Sequence, residues 1–141
     1  MNLRDATIED IQAVAANSIS GGIKEYPASA DYISALEHEG KVIGVGGVKM
    51  LNPTVAWVWF DLTPEARTHM IAVYRIIRDW MQKIVAAYDI ERLMAAVDSG
   101  FPEGILTAEH LGFTRESVLK RFFGDRDGYM YVYFPPEKGV E

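Results

Sequence analysis

Two apolar, strand-like runs flank one long amphipathic helix in the middle of the chain, and that succession constrains the fold more than any other feature. Val55 to Leu62 is dense in β-branched and aromatic residues: Val55, Trp57, Val58, Trp59 and Phe60. Met70, Val73, Tyr74, Ile77, Trp80, Met81, Ile84 and Tyr88 then recur at steps of three and four, with Arg75, Arg78, Asp79, Gln82 and Lys83 on the other side. Leu93 to Val97 follows as a short, wholly apolar strand suited to a sheet interior. Strands joined through a helix pair in parallel by a right-handed crossover. An α/β fold with a mixed sheet is therefore expected, with Val55–Leu62 and Leu93–Val97 as parallel neighbours that separate towards their C-terminal ends.

The flanking segments supply the antiparallel part. Leu3 to Ala6 reads as a first strand. Thr7 is placed to cap a helix carrying Ile8, Ile11, Val14 and Ala15 on one face, with Asp10 at its third position, where a carboxylate favours a helix start. Ser20-Gly21-Gly22 ends that helix, and Ile23 to Ala30 suggests a short second one stopped by Pro27. Tyr32 to His38 and Val42 to Met50 form a hairpin over Glu39-Gly40. Pro102 to Leu111 is a helix closed by Gly112. Phe113 to Phe123 and Tyr129 to Phe134 are strands around a loop at Gly124 to Gly128. The expected order is β-α-α-β-β-β-α-β-α-β-β in a single domain over residues 1–136, with a loose tail at 137–141.

Composition removes several function classes. The 141 residues include no cysteine, which excludes disulfides, thiolate catalysis and sulfur-ligated metals. Net charge is −6 and no basic patch stands out, so neither nucleic acid nor an anionic membrane surface is an expected partner. No apolar run approaches the roughly 20 residues of a membrane span, and the N-terminus has no signal-peptide pattern, so a cytoplasmic location is expected. No metal site is expected: His38, His69 and His110 belong to different elements, and Asp125-x-Asp127-Gly128 lacks the glutamate of a calcium loop. Gly44-Val45-Gly46-Gly47 superficially suggests a dinucleotide loop, but Lys49 replaces its last glycine. A kinked or bulged strand accounts for it better.

The element order resembles that of the GCN5-related N-acetyltransferase family over nearly the whole chain. Leu3-Arg4-Asp5-Ala6-Thr7-Ile8-Glu9-Asp10 looks like the family's first strand and helix start. Gly40 to Val48 looks like its second hairpin, and Leu111-Gly112-Phe113 is similar to the ending of its last helix. The resemblance implies acetyl-CoA as co-substrate and a small-molecule or protein amine as acceptor, and it leaves a homodimer open. The family's cofactor motif, Arg/Gln-x-x-Gly-x-Gly/Ala, falls on Arg67-Thr68-His69-Met70-Ile71-Ala72. Such a motif places free N–H groups of a helix N-terminus against a pyrophosphate. Arg67 and Ala72 fit, while Met70 stands where a glycine is expected. The resemblance assigns Leu62, Thr63 and residues 67–72 to the cofactor. On a different reading, Thr63-Pro64-Glu65 starts the helix early and consumes the donors of residues 67–70.

Asp61 is the first candidate for general base, on the strand face of Trp57 and Trp59; the alternative is an edge carboxylate paired with a lysine or arginine. His69 and Asp98 are further candidates at expected loop positions. The acceptor would lie under Gly21–Asp31 and the Phe122–Tyr129 hairpin. Many relatives carry a tyrosine acid where Ala108 stands and an asparagine where Phe101 stands. Those departures, with Met70, point to a second reading: a non-catalytic protein of the same fold, such as one carried in a phage virion.

Overall fold

The computed structural model describes residues 1–20 and 30–136. Along the chain run β1 (Asn2–Asp5), α1 (Ile8–Ala16), β2 (Tyr32–His38), β3 (Lys41–Asn52), β4 (Val55–Leu62), a 3₁₀ helix (Pro64–His69), α2 (Met70–Tyr88), β5 (Arg92–Asp98), α3 (Pro102–His110), β6 (Thr114–Phe123) and β7 (Arg126–Tyr133). The strands form a mixed sheet in the order β1-β2-β3-β4-β5-β7-β6. β4 and β5 pair in parallel, from Val55↔Arg92 to Trp57↔Met94, as the central strand–helix–strand succession requires. The short helix expected from Ile23 and the tail at 137–141 lie outside the described residues. Contacts group the chain into two compact units, Met1–Lys49 with Val58–Trp80, and Met50–Trp57 with Met81–Glu141.

In the first unit, α1 begins with a reciprocal cap. The Thr7 hydroxyl accepts from the Asp10 N–H at 3.3 Å, and the Asp10 carboxylate accepts from the Thr7 N–H at 2.8 Å. Arg4 grips the same carboxylate with two nitrogens, at 2.6 and 3.0 Å, and reaches Glu37 of β2 with Nε at 2.9 Å. The Arg4 guanidinium, helped by the Thr7 cap, holds the Asp10 carboxyl at about 2 although Asp10 is 8% exposed and burial opposes this. Sequence had offered only the helix-start preference for this residue.

The glycine run of β3 is explained by what lies over it. The β2–β3 register slips between Leu36 and Glu37, leaving Ile43 as an extra residue just before Gly44. A Cβ at Gly44 would meet Leu62 Cδ2 at 2.8 Å, and one at Gly47 would meet the Trp59 ring at 2.5 Å. These glycines let β4 side chains lie flat against β3. On the Leu62 face of β4, opposite Trp59, Phe60 meets Trp80 of α2 edge-on at 5.6 Å. Val73, Ile77 and Trp80 are buried along α2, as the helical stripe predicts, with Met81 and Ile84 continuing it. A small apolar cavity of about 30 Å³ remains among Leu36, Gly44, Phe60, Leu62, Ile77 and Trp80.

In the second unit, β5 lies between β4 and β7. α3 ends in a Schellman motif: Phe113 N–H bonds the Ala108 carbonyl at 3.0 Å and Gly112 N–H bonds that of Glu109 at 3.1 Å, with Gly112 at φ +94°. The last hairpin departs from expectation. Its turn is Gly124-Asp125 alone, and β7 starts at Arg126, not Tyr129. Gly124 at φ +71° makes this tight reversal, while Gly128 sits inside β7 opposite Leu119 because Phe123 covers it.

Candidate active site

The candidate base sits at the end of an interior strand. Asp61 is 3% exposed and is followed by buried Leu62 and Thr63. β4 lies between β3 and β5 in the sheet order, but its pairing with β5 ends at Trp57, so Asp61 sits where the two strands have parted. Its neighbour Phe60 faces α2, and successive strand side chains alternate. Asp61 therefore projects to the other face, towards the segment that leaves α1. There the Ser18 hydroxyl donates to Asp61 Oδ1. Ser18 Oγ lies 2.7 Å from Ser20 Oγ and also accepts the Ser20 N–H at 3.1 Å. Ile19 N–H donates to the Leu62 carbonyl at 2.9 Å, pinning this segment alongside β4. Sequence reasoning missed both serines: Ser18-Ile19-Ser20 carries no motif, and 43 residues separate Ser18 from Asp61.

Thr63 leaves β4 in extended conformation and caps the helix that follows, with Pro64 in the first turn. Its N–H and hydroxyl both bond the Ile43 carbonyl, at 2.9 and 3.3 Å, so its side chain serves the bulge and not the helix end. Helical structure starts at Pro64, but as a 3₁₀ turn through His69, with α2 proper beginning at Met70. A 3₁₀ turn bonds each N–H to the carbonyl three residues back. The main-chain donors of residues 67–69 are thus engaged within the helix. Glu65 occupies the first turn, where the Lys41 ammonium holds its carboxyl down at about 2.

Met70 has φ −61° and ψ −32°, ordinary helical backbone, so the absent glycine imposes no strain. Arg67, Thr68, Ile71 and Ala72 are exposed, Ile71 to 73%, whereas His69 and Met70 are half-buried. Tested against a coenzyme A diphosphate, the stretch offers the Arg67 guanidinium and an open helix face, but main-chain donors only if the 3₁₀ turn opens.

The remaining sequence candidates fall elsewhere. His69 packs its ring on His38 at 4.5 Å, two residues that sequence had assigned to unrelated elements. Asp98 is the last residue of β5, not part of a loop. Arg126 Nε bonds it at 3.0 Å and Gly100 N–H at 2.9 Å; the guanidinium foremost lowers its pKa. That pairing makes it a structural carboxylate. Ala108 is buried in α3, and the Phe101 ring lies over Gly104 at the helix start. Both positions therefore serve packing. Of the segment expected over the acceptor, residues 21–29 lie outside the described residues.

No protein-family model matches the sequence, and no curated protein matches it. Solved structures do. Ard1 from Thermoplasma volcanium superposes with a TM-score of 0.78 at 17% identity, over 96% of this chain and 98% of that one. A single-residue variant of the spermidine N-acetyltransferase SpeG from Vibrio cholerae gives 0.76 at 16%, covering 95% of each chain. The ribosomal-protein-alanine N-acetyltransferase from Brucella melitensis gives 0.71 at 16%, over 96% of this chain and all of that one. With its strand order and its parallel β4–β5 pair, this chain has the fold of the GCN5-related N-acetyltransferases.

Proposed function

We propose that the protein transfers an acetyl group from acetyl-CoA to a primary amine. The observation that supports this most is the likeness over nearly the full length to two structures named as N-acetyltransferases, one of a polyamine and one of a protein alanine. The thioester supplies an activated acetyl group; the protein's part is to hold it, position the amine and remove a proton. Arg67 would contact the diphosphate, and Leu62, Thr63, Thr68, His69, Met70, Ile71 and Ala72 would line the cofactor's path at the start of α2. Asp61 would be the base. An amine attacks only when neutral, so a base near the acceptor is needed at neutral pH. The direct test incubates the protein with acetyl-CoA and a panel of amines (spermidine, a lysine peptide, a peptide with N-terminal alanine) and follows release of the free thiol. Thiol release that depends on an amine and falls in Asp61→Asn supports the reading; none with any amine rejects it.

One observation favours the second reading, a non-catalytic protein of this fold, such as a virion component. The 3₁₀ turn engages the donors that an acetyl-CoA site would use, and Ala108 and Phe101 are packing residues. On that reading acetyl-CoA raises the melting temperature of neither the wild type nor Arg67→Ala.

A further inference from the structure

We infer that Ser20 and Ser18 form a directed two-hydroxyl relay that carries a proton from the acceptor ammonium to Asp61. The inference rests on the proposed acetyl transfer and assigns roles to two residues which that proposal leaves without one.

Hydrogen-bond accounting fixes the direction. A serine hydroxyl has one proton to give and two lone pairs to receive with. Ser18 gives its proton to Asp61 Oδ1. The 2.7 Å contact between the hydroxyls must then be donated by Ser20, since Ser18 has nothing left to give. Ser18 Oγ also accepts the Ser20 N–H, so both of its lone pairs are engaged. The chain therefore runs Ser20 to Ser18 to Asp61. Its outer end, Ser20 Oγ, has its proton committed inward, and its lone pairs have no donor among the described residues. The bond from Ile19 N–H to the Leu62 carbonyl keeps both serines in register with Asp61. An outer group able only to accept suits an ammonium donor. The buried carboxylate is thereby connected to a half-buried group that an amine can approach.

The steps balance. The ammonium gives one proton to Ser20 Oγ as Ser20 passes its own to Ser18, and Ser18 its own to Asp61. Both hydroxyls end with one proton and Asp61 becomes a carboxylic acid. The neutral amine forms a bond to the thioester carbonyl carbon, and the C–S bond breaks. The second nitrogen proton reaches the departing thiolate through solvent, and Asp61 returns its proton to bulk water.

The test measures kcat, KM and their pH dependence for wild type, Ser18→Ala, Ser18→Thr and Ser20→Ala, with the panel amine that wild type uses. Spermidine binding by calorimetry without acetyl-CoA, and melting of each variant, accompany it. The relay predicts that Ser18→Ala lowers kcat about 100-fold or more with its melting curve intact. Its rising pH limb moves alkaline, towards the amine's own titration near about pH 10, because solvent must then remove the proton. Ser18→Thr, which keeps the hydroxyl, restores the wild-type profile. Ser20→Ala raises KM and weakens spermidine binding as well as lowering kcat. Wild-type kcat and pH profile in Ser18→Ala would overturn the relay while leaving acetyl transfer standing. Equal losses in Ser18→Ala and Ser18→Thr with an unmoved pH profile would reduce Ser18 to a structural pin and overturn it too. A wild type that acetylates no amine would overturn both proposals.

Discussion

Removing the Trp80 side chain should be among the costliest single changes to this protein. Trp80 is 6% exposed, meets Phe60 edge-on, and donates its indole N–H to Ser34 Oγ at 3.0 Å; Ser34 is itself 3% exposed. A buried aromatic of this size removes roughly 150–250 Å² from water. At about 25 cal/mol per Å² that gives about 4–6 kcal/mol. This is an upper value, because the unfolded chain already hides part of that area. The cavity beside the ring does not offset the loss, since its walls are held apart by the sheet and α2. Trp80→Ala should therefore cost about 3–5 kcal/mol, a large share of a typical total of roughly 5–15 kcal/mol. Trp80→Phe retains most of the area but strands the Ser34 hydroxyl, for about 1–3 kcal/mol. The double variant Trp80→Phe/Ser34→Ala removes both partners and should lose less than the sum of the single variants, by about 1 kcal/mol. Urea unfolding followed by circular dichroism measures all of these, with unchanged slope as the check that only stability moved. A loss below about 1 kcal/mol for Trp80→Ala, or strict additivity in the cycle, would refute this account of the core.

Two further outcomes follow from the first unit. The Asp10 carboxyl lies at about 2 in the folded protein against an ordinary 3.8, so the folded state binds fewer protons. Its contribution is complete above about pH 5 and disappears as pH falls towards 2; Asp10→Asn should cost about 1 kcal/mol at pH 7, with the gap to wild type closing between about pH 5 and 2. A gap independent of pH would contradict the Arg4–Asp10 assignment. Gly47→Ala forces a Cβ to within 2.5 Å of the buried Trp59 ring and should cost about 1–3 kcal/mol, read from the urea midpoint; an unchanged midpoint would show that the ring moves freely.

Periodicity and turn chemistry carried most of the fold. The bounds of β2 and β4 are those read from alternation and β-branched content, and the α2 stripe buries Val73, Ile77, Trp80, Met81 and Ile84 while Met70, Tyr74 and Tyr88 are half-buried. Gly112 could be read as a helix end because an αL position after an apolar stripe has few other uses. Gly128 could not be separated from the turn at Gly124, because only the Phe123 ring lying over it reveals a strand position. The candidate site was half legible. Asp61 stood out as a carboxylate closing an apolar strand, but its partners are long-range. Ser18 and Ser20 reach it only because the segment after α1 docks on the Leu62 carbonyl. Thr63-Pro64-Glu65 announced an early helix start, yet nothing local distinguishes a 3₁₀ turn from an α-helical one there.

The most direct test of the central claim is thermal unfolding of wild type, Arg67→Ala and Met70→Gly over a range of acetyl-CoA concentrations. A ligand that binds only the folded state stabilises it by about 2.7 kcal/mol at 100 times its dissociation constant. Wild type should therefore melt progressively higher as acetyl-CoA rises. Arg67→Ala should need about 5–30 times more ligand for the same shift, equivalent to about 1–2 kcal/mol for one charge-assisted contact. Met70 is already helical, so Met70→Gly should start lower by about 1 kcal/mol of helix stability and still respond. Melting curves of all three proteins that do not move with millimolar acetyl-CoA would contradict the proposed function.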